Sequence, residues 1–169
     1  SDPLFTRKNT KDNTPAVINM EVVPGDKLEV TVAAKGGGSE NKSKMQMLNP
    51  GDNIVDWVLK TVPTMGAGWC PPGMLGIGVG GTAEKAVLMA KESLMDDIDM
   101  YELLQRGPAN KLEELRIELY EKVNALGIGA QGLGGQRGNV QDFQGPEGND
   151  TGGVYKSTDN GDTWTRVNS

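Results

Sequence analysis

The chain has 169 residues, enough for one compact domain with or without an appendage. Hydrophobic residues make up 36% and aromatics only 5%, while glycine reaches 24 residues, so any core rests on Val, Ile, Leu, Met and Ala. A net charge of −6, a pI near 4.7 and no stripe of Lys or Arg speak against a nucleic-acid partner, and no apolar run reaches the ~18 residues of a membrane span.

Cys70 is the sole cysteine, so no intrachain disulfide is possible and a reducing, cytoplasmic setting is expected. The start at Ser1-Asp2-Pro3, with neither an initiator Met nor a signal peptide, predicts a fragment. Residues 1–15 are polar and end in Asn13-Thr14-Pro15, a loop signal. Ala16–Val23 and Lys27–Ala34 are rich in β-branched residues, with Leu28, Val30 and Val32 alternating against Glu29 and Thr31. Pro24-Gly25-Asp26 between them predicts a β-hairpin turn, because Pro fixes φ and Gly tolerates positive φ.

Lys35–Asn41, KGGGSEN, reads as a glycine-rich loop. Asp52 or Asn53 then caps a predicted helix whose apolar face carries Ile54, Val55, Trp57, Val58, Leu59 and Val62, and Pro63 limits it to about three turns. The glycine-dense stretch from Gly66 to Gly81 encloses Trp69-Cys70-Pro71-Pro72-Gly73. Thr82 is the expected N-cap of a helix from Ala83 to Met95, with Ala86, Val87, Ala90 and Leu94 on one side. A further helix is predicted over Asn110–Leu126, facing Leu112, Leu115, Ile117, Leu119 and Val123 inward and closed by Gly127. Strands precede helices without steady alternation. The expected class is therefore α+β, a mixed sheet with packed helices.

Beyond Gly135 the composition changes. Gln136–Gly153 is polar and aperiodic, hence a linker, and Val154–Val167 is predicted to form one short hairpin. The expected organisation is residues 1–135, a linker over 136–151, and a terminal hairpin over 152–169.

Around Cys70 the two prolines hold the backbone extended, and the neighbouring glycines admit close approach by a bulky group. Gly80 and Gly81 precede a helix N-terminus, where an anion or simple tight packing fits equally. By residue type alone, Cys70 reads as a small buried hydrophobe, since an iron–sulfur cluster takes three or four thiolates. Gly76, Gly78 and Gly81 match the letters of a dinucleotide-binding GxGxxG, but no buried strand precedes them, and nicotinamide binding is not expected. Asp96, Asp97 and Asp99 lack calcium-loop spacing and read as a solvated helix end. Met45, Met47, Met65, Met74, Met89 and Met95 read as core filler.

The segments DPLFTRKNTKDNTPAVI, AKGGGSENKSK, VPTMGAGWCPPGMLGIGVGGTAEKA and ALGIGAQGLGG, taken in order, resemble the class I fumarate hydratase and L-tartrate dehydratase family. The resemblance covers nearly all of residues 2–135. It implies the family's N-terminal cluster domain, in part, and reversible hydration of fumarate to malate or dehydration of tartrate. It also implies a [4Fe–4S] cofactor with three cysteine ligands and one open iron. Cys70 matches the middle ligand of the three. Gly36, Gly37 and Gly38 match a segment lying against the dicarboxylate, with Ser39 and Lys35 as weaker candidates. Arg7 lies where the family has a carboxylate-binding arginine. No residue here matches the general base, so no catalytic residue is assigned.

The family continues into a segment with a histidine and the third cysteine, whereas this sequence has no histidine and no second cysteine. Instead, Ser157-Thr158-Asp159-Asn160-Gly161-Asp162-Thr163-Trp164 fits S-x-D-x-G-x-x-W and resembles the Asp-box of sialidase-like and sortilin-like β-propellers. There it is a structural turn. A chimeric joining is the expectation, ahead of a genuine fusion or a frameshift. With two cluster cysteines missing, the chain alone is expected to be inactive. The alternative is a non-catalytic binding or structural protein combining a degenerate hydratase scaffold with a propeller hairpin. A two-subunit dehydratase supplying missing groups in trans is a third reading. The parent is expected to be a homodimer or an α/β hetero-oligomer acting on a small dicarboxylate.

Overall fold

The structure, a computed structural model, describes residues 4–14, 16–71, 73–129, 132–134, 154–157 and 165–166. Helices dominate it. The elements run β1 (Val30–Ala33), α1 (Gly37–Glu40), α2 (Ile54–Thr61), α3 (Ala83–Glu92), α4 (Met100–Arg106), α5 (Lys111–Ala125), β2 (Val154–Ser157) and β3 (Thr165–Arg166). Single 3-10 turns, Val62–Met65 and Ser93–Met95, extend α2 and α3. Among the described residues no helix is long and apolar enough to cross a membrane.

Local chemistry explains the helix starts. Of the two candidate caps before α2 it is Asn53 that acts, its Oδ1 accepting from the amides of Val55 (2.8 Å) and Asp56 (3.2 Å). Asp52 is engaged instead with Asn49, from whose backbone N–H it accepts at 2.7 Å. Pro63 falls inside the 3-10 turn and ends the α-helix where its missing N–H requires. Thr82 holds the N-cap position of α3 but makes no side-chain cap bond. Asn110 caps α5 through the Glu113 amide at 3.0 Å. Gly127 follows that helix at φ +69°, the left-handed conformation expected of a closing glycine.

The core lies where α2 meets α5. Val55, Val58, Val62, Trp69, Leu119 and Val123 are buried together, with Leu75, Ile77, Leu115 and Ile128 packed against them. Met100 and Leu103 of α4 are also buried. Leu112, expected to face inward, is instead 64% exposed. Of the six methionines expected as core filler, Met45, Met47 and Met74 are exposed, Met65 packs against the core, and Met89 and Met95 are partly buried; Met100 is buried as well.

The sequence reading missed α4. Asp99, taken for part of a solvated helix end, is its N-cap, accepting from the amides of Tyr101 (2.8 Å) and Glu102 (3.0 Å). An acidic residue at that place both satisfies free amides and faces the positive end of the helix dipole.

The expected hairpin of residues 16–34 does not form. Only Val30–Ala33 is a strand, and Val17, Ile18, Met20, Val22 and Val23 are exposed without strand geometry. A strand needs a neighbour for its backbone groups, and β1 takes its partner from elsewhere. It pairs antiparallel with β2, from Val30↔Ser157 to Ala33↔Val154. β2 in turn pairs antiparallel with β3. The described strands thus form an antiparallel ladder in the order β1-β2-β3 where a mixed sheet was expected. The linker over 136–151 and the turn bearing Asp159, Gly161 and Trp164 lie outside the described residues. So does Pro72.

Candidate functional site

The site is built around the loop from Gly66 to Cys70. Trp69 is buried to 6% exposure in the core and Pro71 is fully buried, while Cys70 between them is exposed. Two anchors pressed inward therefore hold the thiol outward. The turn is tight: Cys70 N–H donates to the Ala67 carbonyl at 3.0 Å, and Cys70 sits at φ +59°, a conformation that non-glycine residues adopt seldom and at a cost. The expectation of a small buried hydrophobe at this position is thereby overturned. Gly73 lies flat against the Trp69 ring, where a Cβ would come within 2.9 Å of Cε3.

Two other glycine-rich stretches come to the same loop. From the KGGGSEN stretch, Gly38 abuts the Gly68 carbonyl, with a Cβ at 38 falling 3.3 Å from it, and the stem of Lys42 lies over Gly68. From the GIGAQGLGG stretch, Gly132 packs on Ala67, with a Cβ at 132 falling 3.1 Å from that of Ala67. Segments some thirty and sixty residues away in sequence thus converge on the turn that presents Cys70.

The KGGGSEN stretch is not an open loop. It closes into the single turn α1, with Glu40 and Asn41 N–H donating to the carbonyls of Gly36 (3.0 Å) and Gly37 (3.1 Å). Ser39 Oγ donates to the Gly36 carbonyl at 3.0 Å and accepts from Lys35 Nζ at 2.6 Å. Glu40 is tied to the far end of α3, where Lys91 Nζ donates to its Oε1 at 2.7 Å. Lys35 Nζ stands 3.7 Å from the other oxygen, Oε2, which is buried without a hydrogen-bond partner. The Lys91 hydrogen bond, helped by the charges of Lys91 and Lys35, holds the Glu40 carboxyl below the usual carboxylate range.

Lys35, Ser39 and Glu40 help to line a groove of about 660 Å³, together with residues of α2, of the segment 74–82 and of α3. Its walls are mostly apolar. Trp69 lines it, and the Trp69 Nε1 atom is buried without a hydrogen-bond partner. Gly76 and Gly78 lie directly on the backbone of α3, against the Ala90 and Ala86 carbonyls, and no side chain would fit there. Their role is close packing, which leaves the GxGxxG lettering without a phosphate cradle. Gly80, at φ +92°, has open space around it, whereas Gly81 touches Lys85.

Among the predicted site residues, Gly38 is brought to the turn that carries Cys70, while Gly36 and Ser39 are bonded within their own single turn and Lys35 is bonded to Ser39. Arg7 is exposed, at φ +47°, outside the groove. The sequence reading passed over Glu40, Lys42 and Lys91. Glu40 and Lys91 are separated by 51 residues, and no local spacing could signal their contact.

Residues 1–141 match the family model for fumarate hydratase (Fumerase). The chain belongs to the fumarate hydratase family. Relatives include a Methanocaldococcus jannaschii protein provisionally named L(+)-tartrate dehydratase subunit alpha, 41% identical over 139 residues. The L(+)-tartrate dehydratase alpha subunits of Escherichia coli strains UTI89 and K12 are 33% and 31% identical over 138 residues. These alignments take in 78% of this chain with the first protein and 79% with the other two. The chain spans 47% of the length of the M. jannaschii protein and 44% of the E. coli ones. The family match stops short of the Asp-box-like hairpin.

A family that works with an iron–sulfur cluster raises the question of fit. An exposed thiol on a tight turn, flanked by glycine loops without bulky side chains, suits one ligand. A [4Fe–4S] cluster takes three or four, and this chain has a single cysteine. Among the described residues no group of three or more His, Cys, Asp or Glu could hold a metal ion. The residues present do not fit the whole group.

Proposed function

We propose that this chain is the part of a fumarate hydratase-type hydro-lyase that supplies one cluster ligand, Cys70, and one wall of a dicarboxylate site. The convergence of three glycine-rich stretches on the exposed Cys70 turn is the observation that carries this reading. The names of the relatives favour tartrate over fumarate as the diacid; in either case the reaction adds or removes water across a carbon–carbon bond.

In this reading Gly36, Gly37 and Gly38 bring backbone close to the bound diacid, a role for which a side chain would be an obstacle. Ser39 offers its hydroxyl, and Lys35 a cation restrained at the groove edge. Arg7 joins as a carboxylate partner only if the N-terminal segment moves in from its exposed position. Because two further thiolates and a general base must come from other residues than these, the 169-residue chain is inactive by itself. The relatives are named as alpha subunits, and we extend that to assembly with a companion chain here. A reducing compartment, the cytoplasm, suits a thiol as exposed as Cys70.

The test is anaerobic treatment of the purified chain with iron and sulfide, followed by assays with fumarate and L-tartrate. We expect no broad visible absorption of a cluster and no turnover. A cluster spectrum accompanied by hydration of fumarate would overturn the one-ligand reading.

A further inference from the structure

We propose that Glu40 and Lys91 are positioning residues that lock the glycine turn of residues 35–42 onto α3, an assignment whose functional meaning rests on the reading of that turn as a dicarboxylate contact. The turn has little else to hold it. None of the residues of α1 is buried, and three successive glycines give the backbone more freedom to lose than any other residue type. Of its three glycines only Gly38 makes a close approach to another segment, at the Gly68 carbonyl, and the Lys42 stem lies over Gly68. The remaining restraint is ionic, through Lys91 Nζ on Glu40 Oε1 at 2.7 Å.

Lys91 is well placed to act as the fixed end. It stands in the last turn of α3, where a cation also favours the helix dipole. The path of α3 is set by Gly76 and Gly78, which lie on its backbone without intervening side chains. Glu40 then passes the restraint to Lys35, 3.7 Å from its Oε2, and Lys35 donates to Ser39 at 2.6 Å. Two cations face one carboxylate, so the cluster keeps a net charge of +1 beside the glycine backbone. That balance suits an incoming carboxylate, which would meet Lys35 already held in place.

The experiment is amide hydrogen exchange on the full chain, read at Glu40, Asn41, Lys42 and Ser43, whose N–H groups close the turn. Lys91→Met should speed their exchange about fivefold, the scale of a half-exposed ion pair, and leave Leu119 and Val123 of α5 unchanged. Glu40→Gln should do the same, and Lys91→Arg should restore most of the protection. Unchanged turn amides in Lys91→Met, equal acceleration in α5, or no rescue by Lys91→Arg would each overturn the anchor. Fumarate and L-tartrate, added separately, should slow exchange at Gly37, Gly38 and Ser39 in the unaltered chain and do so less in Lys91→Met. If neither diacid changes the unaltered chain while Lys91→Met still loosens the turn, the contact stands and its role toward a dicarboxylate is refuted.

Discussion

Two regions of this molecule carry comparable apolar patterns and use them differently. Between Ile54 and Gly129 the apolar side chains close a core, with Val58, Val62, Leu103 and Val123 at 3% exposure or less. Between Leu4 and Ala33 they stay in solvent, Phe5 at 82%, Ile18 at 78% and Val22 at 90%. The difference lies in what each pattern requires. A helix satisfies its backbone internally and needs only a cap and a face to bury. A strand must find both a hydrogen-bonding neighbour and a layer to pack on, and residues 16–23 have neither among the described residues.

The comparison can be broken most directly at its packed end. Trp69→Ala should cost about 3–5 kcal/mol in urea unfolding, because Trp69 fills the core behind Cys70 and a cavity would remain. A loss near zero would mean that the loop is not seated on the core. Gly78→Ala comes next, at about 1–3 kcal/mol, since the new Cβ must push the segment off α3. Full tolerance would show that the glycines of GIGVGG serve something other than close packing.

Smaller effects sharpen the contrast between regions. Asn53→Ala removes two cap hydrogen bonds and should cost about 1 kcal/mol, whereas Thr82→Ala, which removes none, should cost clearly less. Val22→Ala should fall within about 0.5 kcal/mol of zero, as for other exposed positions. A larger loss there would place residues 16–23 in a packed environment and erase the distinction.

A pH experiment probes the connection between α4 and α5. Arg106 donates to both oxygens of Glu113, at 2.7 and 2.9 Å, and the Ala109 amide adds a third bond at 2.8 Å. The Arg106 hydrogen bonds above all, then the Ala109 amide, bring the Glu113 carboxyl down from 4.5 to about 2. A carboxylate whose folded value is depressed stabilises the fold above its unfolded value and loses that contribution as pH falls. The window here runs from about 4.5 down to about 2. Arg106→Gln should return the Glu113 titration, followed by carboxyl NMR, most of the way toward 4.5 and narrow that window.

How far the sequence reaches follows the same division. Helices α2, α3 and α5 were legible within a few residues, because caps, periodicity and Pro63 or Gly127 are local signals. Helix α4 was missed because a single Asp99 had to be recognised as a cap within an acidic cluster. The hairpin of residues 16–34 was over-read, since alternation states which face would be buried and not whether anything lies against it. At the site, the glycine stretches were recognised, and their convergence on Ala67 and Gly68 was not, being a matter of tertiary packing. The Glu40–Lys91 pair left no trace at all in local spacing.

The central claim is that Cys70 is held outward as an iron ligand by the loops that meet behind it. It is tested most directly by grafting. The matching 138 residues of the Escherichia coli K12 L(+)-tartrate dehydratase alpha subunit would be replaced by those of this chain, with and without Cys70→Ala. The visible absorption of the anaerobically reconstituted complex would then be recorded. The account predicts a cluster spectrum for the graft and its loss in Cys70→Ala while the protein remains folded. A full cluster spectrum in the folded Cys70→Ala graft would contradict it.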